Sequence, residues 1–393
     1  MEKRFVYADN SATTAVYPEV YEAMKPCFEG IYGNPSSLYS KGVEAKKLLE
    51  ASRAKIAAVL GCKPSELYFT SCGSESDNWA IKGAAHANAA RGKHLVTTAI
   101  EHHAVLHTMK ALEKEGFEVT YVMPDSEGVI TPEAVRAALR EDTTLVAVMY
   151  ANNEIGTIEP IREITETVKA YNKKIIMFTD AVQAMGNLKI DVEALGVDML
   201  SISGHKIHAP KGIGALYIRT GTRVQNFIDG GGQERGKRGG TENLPYIVGL
   251  AKAAELAEKN LVDLERVSKM RDRLIAGIEA EIPYMRVNGS RTQRLPGNVN
   301  VAFQYIEGES MLLRLDLAGI CSSTGSACSS ASLEPSHVLL AIGVPVETAH
   351  GSLRLSLNRD NTDEDVDYIL KVLPEVVQGL RDMSPIYPEN AKR

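Results

Sequence analysis

The sequence predicts an α/β protein: a large domain built on a mostly parallel sheet with helices on both faces, and a smaller α+β domain. Three observations lead there. From residue 117 to 200, strand-like runs, turns and helical stretches alternate, which is the rhythm of a parallel sheet layered with helices. The apolar runs at 175–178 and 197–202 are short and nearly continuous, as in strands buried on both faces. A stretch rich in Ala, Leu, Glu and Lys, 251–282, ends at Pro283 and reads as one long helix bridging to the smaller domain. The expected division is 14–258 for the large domain, with 1–13 and 259–393 forming the small one.

Length and composition bound the function. The 393 residues are 44% hydrophobic and 24% charged, ordinary for a globular protein with two domains. A net charge of −6 argues against nucleic acid or an anionic membrane as the main partner. The start, Met-Glu-Lys-Arg-Phe, lacks an apolar leader, and no run approaches the roughly 20 residues of a membrane helix. Five cysteines, an odd number without a CxxC pair, suggest reduced thiols. A cytoplasmic enzyme is expected.

In chain order, Phe5-Val-Tyr reads as a short strand ending in a polar turn, and 39–60 as a helix closed by Gly61. A strand from Glu66 then runs into Cys72-Gly-Ser, where a helix opens. Ser74 with Asp77 three residues on has the spacing of a capping box. A helix start lined by small residues can take a phosphate, though every capped helix looks similar. After a strand at 93–98 comes Glu101-His-His, with His103 and His107 spaced i,i+4. A metal is not expected there, because only Glu101 or His102 lies near enough in sequence to be a third ligand. Strands at 117–123 and 144–150 flank a helix capped by Thr131 with Pro132 at its first position. The second ends at Asn152-Asn153, and strand C-termini are where open α/β sheets bind ligands. The run Gly230-Gly-Gly-Gln-Glu-Arg-Gly-Lys-Arg-Gly-Gly-Thr-Glu-Asn is no Walker loop, since no Gly-Lys-Ser/Thr closes it. A strand at 295–303 follows. In the helix at 362–383, Val366, Ile369, Leu370, Leu373, Val376 and Leu380 form the core face.

Two stretches carry the chemistry. Ser201-Ile-Ser-Gly-His-Lys follows an apolar run and precedes a Gly-punctuated turn into another strand, so Lys206 sits where two strands converge. Such a lysine is either a buried cation needing a partner or an amine that forms a Schiff base. Asp180 ends the run Ile175-Ile-Met-Phe-Thr-Asp, and a carboxylate there can pair with the ring nitrogen of pyridoxal phosphate while the lysine holds its aldehyde.

The segments Asp180-Ala-Val-Gln and Ser203-Gly-His-Lys-Ile-His-Ala-Pro-Lys-Gly resemble class V aminotransferases, and within that group the chain is similar to cysteine desulfurases of the NifS/IscS type from Tyr7 to about Met383. The resemblance implies a homodimer of pyridoxal-phosphate fold type I that takes sulfur from L-cysteine and leaves alanine. It implies that Lys206 carries the cofactor and Asp180 faces its ring nitrogen, with His102 stacked on the ring and moving protons. It assigns Asn153 to the phenolic oxygen, Gly73 and Ser74 to the phosphate, and Gln183, Ser203 and His205 to the cofactor's oxygens. Thr241 would reach the partner subunit's cofactor phosphate. Arg354, in Arg-x-Ser, would hold the substrate carboxylate through its planar fork. Cys328, in Gly-Ser-Ala-Cys, would be the sulfur-accepting nucleophile. The run from Cys321 to Ser332 has only small side chains, so mobility is the physical expectation, and the long form of this loop marks the NifS/IscS branch. Thr324 stands where relatives carry Ser, and Cys321 is a bystander that could trap Cys328 as a disulfide. No resident metal is implied, although Cys328 could ligate an iron–sulfur cluster transiently. The acceptor would be an iron–sulfur scaffold or another sulfur-acceptor protein. The tail after Met383 and the Arg-Gly-Gly-Thr-Glu-Asn form lean toward the NifS side. Rival readings are a selenocysteine lyase or other class V lyase, and an inactive relative serving as a scaffold.

Overall fold

The computed structural model describes residues 4–324 and 334–388. Its centre is a seven-stranded sheet. In chain order the strands of the protein are β1 (Val6–Tyr7), β2 (Leu67–Thr70), β3 (His94–Thr98), β4 (Glu118–Val122), β5 (Thr143–Ala147), β6 (Ile176–Asp180), β7 (Met199–Ser203), β8 (Gly214–Ile218), β9 (Met285–Val287), β10 (Asn298–Phe303), β11 (Ile320–Cys321) and β12 (Ser352–Ser356). The large sheet runs β2-β8-β7-β6-β5-β3-β4. Only β8 is antiparallel to its neighbours. It follows β7 directly, and the connection between them carries Lys206.

Every residue of β3, β5, β6, β7 and β8 is buried, which explains their unbroken apolar runs. Successive side chains divide between two cores. Val96, Val146, Met177 and Leu200 join one, with the helices Ser40–Leu60, Ile161–Tyr171 and Leu244–Lys259. Leu95, Leu145, Phe178 and Met199 join the other, with Trp79 of the helix Gly73–Asn88 and Met109 of His103–Lys114. This period-2 split is what places helices on both faces. Burying a side chain such as Phe178 stabilises by roughly 1.5–3 kcal/mol.

A third core lies between the antiparallel sheet β12-β10-β9 and the helices Leu264–Glu281, Gly308–Leu317 and Asp363–Arg381. The N-terminal strand joins it, with β1 parallel to β11 and Val6 in the core. Leu295, Val338, Leu339 and Ile342, although they come late in the chain, pack into the first core of the large sheet.

Three expectations change. The helix foreseen at 251–282 is two helices, Leu244–Lys259 and Leu264–Glu281, joined by the 3-10 turn Asn260–Asp263. The C-terminal helix buries Val377, while Val376 and Leu370 are only partly buried. Ser74 and Asp77 do not form a capping box. Cys72 is the N-cap, its Sγ accepting the Glu75 N–H at 3.4 Å, and Asp77 turns inward instead.

Candidate active site

The C-terminal ends of the parallel strands converge on one cavity of ≈ 390 Å³. β6 delivers Asp180 at its last residue, and β7 delivers Ser203. The single 3-10 turn Gly204–Lys206 then presents His205 and Lys206. The segment after β3 supplies His102, the N-cap of its helix, and the segment after β5 supplies Asn153. β2 leads into Gly73 and Ser74 at the start of a 16-residue helix. From the smaller sheet, β12 extends Arg354 into the same space. Gln183 completes the lining.

Lys206 Nζ donates to the carbonyls of Ser11 and Ala12 at 2.6 and 2.7 Å, which ties the turn to the N-terminal arm. Gln183 Nε2 donates to the same Ser11 carbonyl at 2.9 Å, and His205 Nδ1 lies 3.1 Å from Thr13 Oγ1. Asp180 accepts the Val182 N–H at 2.9 Å and is buried at the edge of the cavity. Burial raises its carboxyl above the ordinary range, and the Val182 N–H and the Lys206 ammonium pull it back. His102 accepts the Ala104 N–H on Nδ1 at 3.1 Å. Burial first, then Lys206 and the nearby histidines, push it down to about 4, so it is a neutral imidazole at pH 7 rather than one titrating near neutrality. His205 is likewise held down to about 4 by burial and by Lys206.

Arg354 is 2% exposed and clamped rather than free. Its Nη2 donates to Asp9 Oδ1 at 2.9 Å and its Nη1 to the Asn153 carbonyl at 3.0 Å. Its Nε has no hydrogen-bond partner among the described residues. A buried guanidinium with an unspent donor beside a cavity suits a carboxylate-bearing ligand.

The structure does not bring all the expected residues together. Thr241 is exposed and lies outside this cavity. Cys328 lies outside the described residues, and so does any disulfide with Cys321. The flanks of its segment are both at the site. Ser323 exchanges backbone hydrogen bonds with Arg354. On the other side Ser336 bonds the buried Glu154, and His337 Nε2 lies 3.0 Å from the Glu101 carbonyl.

Several groups at the site were not foreseen. Asp77 accepts the Ser201 hydroxyl at 2.6 Å, and Ser201 is the lateral partner of Asp180 across β6 and β7. Glu101 is fully buried, accepting from Thr98 Oγ1 and the Met149 N–H, both at 2.8 Å; burial pushes it up to about 8. Glu154 is pushed up to about 7 by burial. His337 packs on His103 at 4.9 Å between ring centroids, and His103 on His107 at 5.1 Å. Even so, no group of three or more such side chains among the described residues is arranged to hold a metal ion. A capping-box spacing hid Asp77; Glu101 reaches Met149, Glu154 reaches Ser336 and His103 reaches His337 only through long-range packing.

The donor set fits pyridoxal 5′-phosphate. A Cβ on Gly73 would come within 2.9 Å of Val182 Cγ2, so the bare backbone leaves the helix start open to a phosphate. Asp180 offers a buried carboxylate to a ring nitrogen, and Lys206 an amine to an aldehyde. A doubly layered, mostly parallel sheet with this lysine and aspartate at its strand ends defines a class of protein, and the chain belongs to the class-V aminotransferase family, whose model matches residues 6–369. Within that family it is similar to proteins named cysteine desulfurase IscS. The one from Clostridium botulinum is 56% identical over 390 residues, covering 98% of both chains. That from Methanosarcina thermophila is 56% identical over 389 residues, covering 99% of this chain and 96% of its own. A solved structure described as a NifS-like protein superposes with a TM-score of 0.91 at 42% identity, covering 96% of this chain and all of the other.

Proposed function

We propose that the chain is a cysteine desulfurase that uses pyridoxal 5′-phosphate to move the sulfur of L-cysteine onto Cys328, releasing L-alanine and passing the sulfur to an acceptor protein. The observation that carries this reading is the meeting of Lys206, Asp180 and His102 in one cavity with a buried, incompletely paired Arg354. Gly73 and Ser74 would hold the phosphate, Asn153 the phenolic oxygen, Gln183, Ser203 and His205 the cofactor's oxygens, and Asp180 the ring nitrogen. When bound, the cofactor supplies an electron sink for the pair left as the Cα proton departs.

Arg354 binds the substrate carboxylate, and its bonds to Asp9 and the Asn153 carbonyl hold the fork in place. Lys206 accepts the Cα proton and returns a proton to carbon. His102, kept neutral with Nδ1 accepting the Ala104 N–H, presents its Nε2–H as a donor that can hold the substrate sulfur and favour its thiolate form. Cys328 as thiolate attacks the substrate sulfur: the S–S bond forms, the Cβ–S bond breaks, and its electron pair stays with carbon. L-cysteine and the Cys328 thiol thus become L-alanine and a Cys328 persulfide, with no outside oxidant. The anchored flanks of its segment, Ser323 beside Arg354 and Ser336 beside Glu154, support Cys328 acting at this cavity.

The working unit would be a homodimer in which the 230–243 segment carries Thr241 to the partner's phosphate site. The large domain would comprise 14–258, and the small one 1–13 and 259–393. The acceptor would be an iron–sulfur scaffold or another sulfur-acceptor protein. No helix among the described residues is long and apolar enough to cross a membrane, and a cytoplasmic enzyme is the location we assign.

The test compares wild type, Cys328→Ser and Cys321→Ser in a single turnover, reading alanine together with the mass of the Cys328 peptide. Cys328→Ser should bind cysteine but form neither persulfide nor alanine, while Cys321→Ser turns over nearly normally. Undiminished alanine from Cys328→Ser would make the chain a lyase that eliminates sulfur directly.

A further inference from the structure

The helix start that receives the phosphate also carries a carboxylate. Glu75, one residue beyond Ser74, is in the first turn of the helix. Its Oε2 accepts the Ser71 N–H at 2.8 Å, so it stays at the same end of the helix where a dianionic phosphate would bind. A carboxylate near a helix N-terminus is ordinarily favourable, but here it competes for the same positive end. Arg238 meets it with a bidentate fork, Nε to Oε1 at 2.8 Å and Nη2 to Oε2 at 3.1 Å. Both side chains are largely buried, so solvent screens the pair weakly.

Arg238 comes from the 230–243 segment, which has its own anchor elsewhere. Glu234 (φ 46°) and Arg235 (φ 59°) lie in the left-handed region, and side-chain bonds to β2 and to the helix Ser40–Leu60 hold them there. Glu234 bonds both Nη atoms of Arg53 at 2.8 Å and the Phe69 N–H at 2.9 Å, and Arg235 donates to the Leu67 carbonyl at 2.7 Å. Holding the segment therefore does not depend on the pair with Glu75.

We propose that Arg238 is a positioning residue that neutralises Glu75, so that the start of the Gly73–Asn88 helix can accept a phosphate dianion. This rests on the reading of Gly73 and Ser74 as the phosphate site. The discriminating ligands are pyridoxal 5′-phosphate and pyridoxal, which lacks the phosphate, titrated into cofactor-free protein. Arg238→Met exposes the phosphate to an uncompensated carboxylate and should weaken pyridoxal phosphate binding about tenfold. Its affinity for pyridoxal should change less than about twofold, because no second anion is present. Adding Glu75→Gln to Arg238→Met removes the repulsion and should restore phosphate binding to within about threefold of wild type. Arg238→Lys keeps the charge and should fall between wild type and Arg238→Met. Equal losses for the two ligands, or a double variant as weak as Arg238→Met, would overturn the proposal in favour of simple anchoring. Wild-type protein that binds neither ligand would overturn the cofactor reading instead, and this proposal with it.

Discussion

Asp180 works in an acidic neighbourhood, with Asp77 beside its lateral partner Ser201 and Glu101 close by. Carboxyls packed together away from water cannot all ionise cheaply, so some must hold protons in the folded state. Burial raises Asp77 well above the ordinary range, with the charge of Asp180 adding to it. Glu101 stands at about 8 for the same first reason. A carboxyl raised on folding stabilises fully below its unfolded value near 4.3, and that contribution is lost as pH rises through the folded value. For Glu101 the window runs from about 4 to about 8, and the loss is on the order of a few kcal/mol at most. Glu101→Gln keeps an acceptor for Thr98 and Met149 and cannot ionise. Cofactor-free Glu101→Gln should therefore melt several degrees above wild type at pH 9 and show no advantage at pH 5. A difference that is the same at both pH values would mean Glu101 does not titrate in this window.

At the scale of elements, the helix start at Gly73 makes the sharpest demand. Its space is limited by Val182 Cγ2 at 2.9 Å and Ser203 Cβ at 3.4 Å from the place a Cβ would take. Val182 donates to Asp180, so pushing it aside disturbs the carboxylate as well as the cradle. Gly73→Ala should lower affinity for pyridoxal phosphate roughly tenfold while improving intrinsic helix propensity by up to ~1 kcal/mol. Titration of the cofactor-free protein checks this, and unchanged affinity would show that Val182 yields freely. The same element shows what the sequence made legible. The strand into Cys72-Gly-Ser, the burial of β6 and β7, and the positions of Lys206 and Asp180 follow from local pattern, whereas Arg354 was singled out only by the family resemblance. Asp77 did not, because a serine and an acid three apart also spell a cap, and only the fold supplies Ser201 as its partner. The break at Asn260–Asp263 has no Gly or Pro to announce it. His337 and Asp9 meet the site through packing that no spacing encodes, and so does Ser336, the partner of Glu154.

At the scale of the molecule, Thr241 is the residue whose place this single chain leaves unexplained. It is exposed, yet it lies three residues beyond an arginine clamped to the helix Gly73–Asn88. An ordered, anchored segment that ends in an exposed polar residue outside its own cavity is consistent with the dimer proposed above, in which Thr241 serves the partner. Mixed dimers test it without a structure. Lys206→Ala loses its own chemistry but keeps Thr241, and Thr241→Ala keeps its own lysine but lacks the donor it would lend. Co-expressed with separate affinity tags, one Lys206→Ala chain and one Thr241→Ala chain form a dimer with a single complete site, built from the lysine of one and the threonine of the other. That dimer should recover about half the wild-type rate per dimer at limiting cofactor. Each parental homodimer should stay well below it, since a lost phosphate hydrogen bond costs roughly 1.5–3 kcal/mol of affinity. If the mixed dimer performs no better than the Thr241→Ala homodimer at the same cofactor concentration, Thr241 does not cross to the partner.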